Sequence, residues 1–321
     1  MIWSEFALDL SYILLPLLLV FGFAFGWNNS GLTTGNLSNL VNYNLALVLT
    51  IAGVFAGLLL LGQKMSSSII GKLVSTGIPD SAILAGVVVS VTLLIILTIL
   101  HQPVSLSNGV VGAFLGAALA SKSSINWSFL SEIVGSWIAA PFLCALVTIL
   151  AYEIVVKLES GLALSTVSLI NRMLLVIAVF YVSFTLGANN IGLIVSFAKN
   201  DPLSGSGVLL EVAVFLTTTL GMILFGKSIA KVVGDKIVGL SQIKTLSTML
   251  GAAIIASLFT ALAVPLSLTQ VVIGGMLGAG AAHRPSVVNV REILTLILGW
   301  TIVTVVSTGL AFGLAILLLN H

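Results

Sequence analysis

Charge is what this sequence most lacks. Only 7% of its 321 residues are Asp, Glu, Lys or Arg, against 59% apolar residues. A chain so poor in charge cannot surround an apolar core with a solvated surface, which excludes an ordinary soluble domain. Cysteine is nearly absent too. Cys144 stands alone, forms no internal disulfide, and reads as a small packing residue within an apolar run. The three histidines and ten carboxylates show no metal-ligand spacing, so neither a metal site nor a cofactor is expected. No P-loop and no nucleophile–base arrangement is legible, and an enzyme is not expected. The 12 Lys and Arg residues are scattered without a basic patch, which argues against nucleic acid. The first residues include Glu5 and Asp9 and lack the positive start of a signal peptide, so the first apolar run is expected to be retained.

What is present is apolar sequence in long runs. Residues 10–26, 45–62, 81–100, 129–150, 174–187, 208–226, 247–264 and 293–319 are all strongly apolar, and the mean hydropathy is +1.24. The run 81–100 contains no charge and is long enough to cross a hydrocarbon core of roughly 30 Å. Unbroken runs exclude the alternating strands of a β-barrel. The expectation is an all-α polytopic protein, multi-pass in the cell membrane, with the lipid bilayer as its solvent.

The chain also repeats itself. Pro103, Ser105, Ser107, Asn108 and Gly112 recur as Pro265, Ser267, Thr269, Gln270 and Gly274, 162 residues on. Gly26, Asn28, Asn29 and Gly31 recur as Gly187, Asn189, Asn190 and Gly192, 161 residues on. Trp137 returns as Trp300 and Gly62 as Gly226, in the same order and at nearly the same step. This predicts two structural repeats, 1–160 and 161–321. Each is expected to carry a helix broken at the Asn-Asn pair and a re-entrant helical hairpin at the Pro-x-Ser segment. Helix breaks at matching places in a duplicated membrane chain are the mark of a secondary transporter. Lys227, Lys231, Lys236 and Lys244 against Asp235 predict a cytoplasmic 227–244 loop. Inverted repeats would put the counterpart loop, 63–80, outside.

The Pro-x-Ser segments point to anion binding. Proline favours a helix start, where free N–H groups, hydroxyls and the positive end of the dipole meet. Ser105, Ser107, Ser267 and Thr269 supply the hydroxyls; plain helix capping is the competing reading. Asn28, Asn29, Asn189 and Asn190 can offer oxygen to a cation or nitrogen to an anion, or can make interfacial turns. Glu132 and Glu211 have no acidic counterpart in the other half and read as interfacial or as isolated intramembrane carboxylates. His101 and His283 border the hairpins and read first as loop residues.

Taken together, the duplicated motifs resemble the inorganic phosphate transporter (PiT) family, including its sulfate permease relatives. The likeness spans essentially the whole chain. It rests on Gly26–Asn29 and Gly187–Asn190 for the family's Gly-x-Asn-Asp motif, and on the two Pro-x-Ser segments for its hairpin motif. The stretch from Trp137 to Pro141 is similar to the Ser-Trp…Pro segment that follows the hairpin. The resemblance implies two inverted repeats whose hairpins meet near the midplane. It implies an oxyanion, phosphate or sulfate, held by Ser105, Ser107, Asn108, Ser267, Thr269 and Gln270, with Asn28 and Asn189 beside them. Asn29 and Asn190 replace the motif aspartates linked to the coupling cation, and the family's glutamates near Phe55 and Phe215 are missing. Coupling to H+ or Na+ is therefore open, and sulfate becomes a close alternative to phosphate. An anion channel is the alternative of another class. Oligomeric state is also open, with a homodimer among the possibilities.

Overall fold

The structure, a computed structural model, describes residues 11–38, 41–74, 77–100, 105–198, 207–237, 241–283 and 290–320. All described elements are helical. The first half holds α1 (Ser11–Ser30), α2 (Asn36–Ser38), α3 (Tyr43–Gly57), α4 (Gln63–Leu73), α5 (Asp80–Ile99), α6 (Leu106–Ala120) and α7 (Trp127–Glu159). The second holds α8 (Leu164–Leu186), α9 (Gly192–Val195), α10 (Gly207–Ile237), α11 (Gln242–Ala261), α12 (Leu268–His283) and α13 (Val290–Leu319). Among the described residues eight helices are long and apolar enough to cross a membrane, matching the eight runs in the sequence. His101 and Pro103 lie outside the described residues, as do the tip of the lysine-bearing loop and the His283 side chain.

The Asn-Asn pairs do not unwind their helices. Asn28 and Asn29 lie inside α1, which continues as a π-helical turn over Gly31–Gly35. Asn189 and Asn190 lie within a second π-helical turn, Gly187–Ile191. A third such turn, Leu58–Gly62, prolongs α3. Widening keeps backbone groups paired where an unwound stretch in lipid would strand them. Side chains assist by bonding back to carbonyls: Asn29 Nδ2 donates to Phe25 O at 3.2 Å, and Thr33 Oγ1 to Ser30 O at 3.4 Å.

Helices exchange partners between the halves. In one crossing, α1 packs against α10; in its counterpart, α8 packs against α3. A Cβ on Gly26 would overlap the Thr218 carbonyl, and one on Gly221 the Phe23 carbonyl. The other crossing repeats this: Gly187 meets the Val54 carbonyl and Gly57 the Phe184 carbonyl. Bare backbone on both sides lets the helices touch, which drives association where lipid supplies no hydrophobic effect between helices. Likewise α6 packs on α13 and α12 on α7, with Gly112 against Thr304, Gly116 against Thr308, Gly274 against Pro141 and Gly278 against Ala145. Numbering rises together across each of these pairs, so each runs parallel. The counterparts α3 and α10 run in opposite directions: Tyr43 lies by Gly226 and Lys227, and Phe55 by Phe215.

Candidate functional site

Each Pro-x-Ser segment becomes the start of a short helix. At roughly 1.5 Å per residue, α6 and α12 reach about 22–24 Å, less than a bilayer core. Both are lined by small residues and sunk among longer helices, and Ser105 and Ser267 are only 1% and 2% exposed. Ser105 has an extended backbone and caps α6: its Oγ accepts from Asn108 N at 3.3 Å. Ser267 does the same for α12, accepting from Gln270 N at 3.3 Å. One helix-start N–H is thus capped in each, at the positive end of the helix dipole.

The first start is a closed cluster. Ser105 Oγ donates to Asn108 Oδ1 and lies 3.3 Å from Ser107 Oγ, while Asn108 Nδ2 donates to Thr304 Oγ1 at 3.4 Å. A narrow cleft lined by Ser90, Leu94, Leu97, Gly109 and Val303 runs beside Ser105. At the second start, Thr269 is 3% exposed and the Gln270 carbonyl oxygen is buried without a partner. Each start is tied to the closing helix of the other half. Thr304 on α13 holds Asn108, and Ser136 Oγ on α7 donates to Pro265 O at 3.3 Å.

Asn189 holds the approach to α12, and Asn28 holds the end of α5. Asn189 Nδ2 donates to Val264 O at 3.1 Å and to Thr260 Oγ1 at 3.4 Å, and its Oδ1 accepts from Leu266 N at 3.2 Å. Asn28 Nδ2 donates to Thr98 Oγ1 at 2.9 Å. The loop held by Asn189 begins at Ala263, a non-glycine residue at φ 56°. A left-handed alanine costs about 1–2 kcal/mol, and the asparagine fixes the turn that imposes it. Asn29 and Asn190 are also buried, at 2% and 3% exposure.

Both helix starts are neutral. None of the polar residues named at them is charged, and among the described residues no group of His, Cys, Asp and Glu could hold a metal. The two isolated glutamates part company: Glu132 is exposed on α7, whereas Glu211 is buried near the start of α10. Sequence reasoning passed over Thr98, Thr260, Thr304 and Ser136. The first two could have been found, because they stand at the same 162-residue step as the hairpin motif.

Comparison with known proteins places the chain. It matches the phosphate transporter family (PHO4) twice, over residues 28–166 and 158–311. A Methanocaldococcus jannaschii protein assigned as a phosphate permease is 24% identical over 97% of this chain and 98% of its own length. The sulfate permease CysP of Bacillus subtilis is 28% identical over 86% of this chain and 78% of its own. A solved structure entitled the sodium-dependent phosphate transporter superposes with a TM-score of 0.80 at 18% identity, covering 96% of this chain and 99% of that one. The fold is therefore shared with that protein. With two matches that together take in most of its length, this chain belongs to the phosphate transporter family and is a multi-pass membrane permease, not an enzyme.

Proposed function

We propose that the chain is a secondary active transporter of inorganic phosphate, working by alternating access and coupled to H+ or Na+. The observation that carries this reading is the matched pair of buried, serine-capped helix starts. Ser105, Ser107 and Asn108 from one half, with Ser267, Thr269 and Gln270 from the other, surround the anion with neutral polar groups and two helix dipoles. Such a dipole contributes about 0.3–1 kcal/mol when exposed and up to about 2 kcal/mol when partly buried. Holding of that strength suits a carrier, which must release its cargo. Asn189 keeps the loop before α12 in place beside the ion, and Asn28 the end of α5. Asn29 and Asn190 lie next to them, and there a coupling cation would find amide oxygens in place of carboxylates.

The finer architecture belongs to the same proposal. The repeats divide near residue 160 and are inverted, and each short helix with the loop before it is the inner part of a re-entrant hairpin. The opposite directions of α3 and α10 and the exchanged parallel pairs support this. A pseudo-twofold axis in the membrane plane would then exchange the two halves, and rocking one against the other would expose the site to each side in turn.

Sulfate is the second reading. It is favoured by the absence of carboxylates, which would otherwise accept a hydrogen bond from the P–OH group of phosphate, and by the likeness to a protein named as a sulfate permease. Uptake of labelled phosphate and sulfate into proteoliposomes, under a proton or a sodium gradient, decides between them. Saturable uptake with counterflow is expected, ohmic current would indicate a channel instead, and transport of neither anion above background would end the carrier reading.

A further inference from the structure

At the second hairpin two buried hydrogen-bonding atoms lack partners, and they are of opposite kind. Gln270 Oε1 can only accept and Trp137 Nε1 can only donate. Both side chains are well buried, at 3% and 8% exposure. They also lie at one level. Pro141 on α7 faces Gly274 on α12, and Ala145 faces Gly278, with the two helices parallel. One turn earlier on each helix brings Trp137 level with Gln270. The hydrogen bond from Ser136 to Pro265 ties that turn of α7 to the loop that opens α12. Buried donors and acceptors are nearly always satisfied, so an unfilled pair at a site calls for a ligand able to answer both.

The first hairpin is different. Trp300 Nε1 is likewise buried without a partner, and the register of Thr304 against Gly112 sets Trp300 level with Asn108. However, the Asn108 amide is already occupied by Ser105 and Thr304. That side offers a spare donor; the second side offers a donor and an acceptor.

We propose that Trp137 and Gln270 form the wall of the anion site that selects an oxyanion still carrying a proton, so that phosphate is bound in preference to sulfate. This rests on reading the two helix starts as the anion site. Near neutral pH phosphate keeps at least one P–OH group, which donates to Gln270 Oε1, while an unprotonated oxygen accepts from Trp137 Nε1. Sulfate carries no proton at this pH. It can satisfy Trp137, but it sets an anionic oxygen against the Gln270 carbonyl, lone pair to lone pair.

The test is competition against labelled phosphate on the purified full-length chain, using unlabelled phosphate, arsenate and sulfate. Arsenate, which also keeps a proton, should compete like phosphate, and sulfate should need roughly tenfold more, the worth of one buried hydrogen bond. Gln270→Met should weaken phosphate by roughly the same tenfold and leave sulfate no weaker, or tighter as the opposing lone pair is removed. Trp137→Phe, which removes only the N–H, should weaken both anions alike. On the unaltered protein, the Trp137 indole N–H resonance should move on adding either anion, while that of Trp127, 61% exposed at the start of α7, stays still. Equal competition by sulfate in the unaltered protein would overturn the proposal. So would a Gln270→Met variant that loses both anions equally, as expected if the amide turns its NH2 to the ion, or one that loses neither, as expected if water alone fills the pair. Anion binding that needs Ser105 but is indifferent to Trp137 and Gln270 would overturn this inference alone. Absence of saturable binding of all three anions would remove the transport reading with it.

Discussion

At the start of α6 the Asn108 amide is tied on both sides, by Ser105 and by Thr304, whereas at the start of α12 the Gln270 carbonyl has no partner. The surroundings are otherwise closely matched. Each helix start is capped by a serine at 3.3 Å, preceded by a loop-side asparagine–threonine pair, and pressed by glycines onto the closing helix of the other half. Duplication has conserved what sets backbone position: caps and bare glycine crossings. Divergence has fallen on the amide side chains at the helix starts. The longer amide at 270 lacks the hydroxyl bond that Ser105 gives the Asn108 carbonyl, and proline at 141 removes the hydroxyl that Thr304 offers the Asn108 NH2.

The comparison breaks most severely at the crossings. Gly187→Leu and Gly26→Leu should each remove more than about 3 kcal/mol of stability, above the usual overpacking cost of about 1–3 kcal/mol, because rigid carbonyls block the new side chain. Thermal unfolding in detergent should show little folded protein for either. Gly309→Leu, where a side chain would meet open space, should melt like the parent. Unequal losses at the two crossings would mean that they are not equivalent.

Removing the loop-side asparagines comes next. Asn189→Leu takes away three hydrogen bonds and leaves Leu266 N–H and Val264 O unpaired, a loss of about 2–3 kcal/mol. Asn28→Leu should cost about 1 kcal/mol from its bond to Thr98. The difference in melting temperature measures how firmly Asn189 holds the loop before α12 against how firmly Asn28 holds the end of α5. Smaller still, Ser105→Ala and Ser267→Ala should each destabilise by about 1 kcal/mol through the lost cap, and by similar amounts. Ala263→Gly should gain up to about 1 kcal/mol by relieving its left-handed backbone, provided the Asn189 bonds survive. A higher melting temperature with unchanged uptake is the expected outcome.

Much of this plan could be read from the sequence. Eight apolar runs became eight helices long enough to span, because length and the lack of charge decide that alone. The shared steps of Pro103 with Pro265, Asn28 with Asn189 and Trp137 with Trp300 carried the duplication. The Asn-Asn pairs were less legible: asparagine between glycines reads as an unwound stretch, yet in lipid the helix keeps its bonds by widening to a π-helical turn. Partner choice was not legible at all. No spacing announces that α6 packs on α13 and not on its own closing helix, so Thr304 and Ser136 carried no signal. The unfilled N–H groups of Trp137 and Trp300 follow from that exchange and appear only once the register is known.

Equilibrium binding of labelled phosphate to the purified chain tests the central idea, that two halves hold one ion between them. A single saturable site is expected, weakened by Ser105→Ala and separately by Ser267→Ala, since each change disturbs one of the two capped helix starts that would share the ion. Binding that falls in one variant and is untouched in the other would place the ion on one hairpin alone and contradict the account.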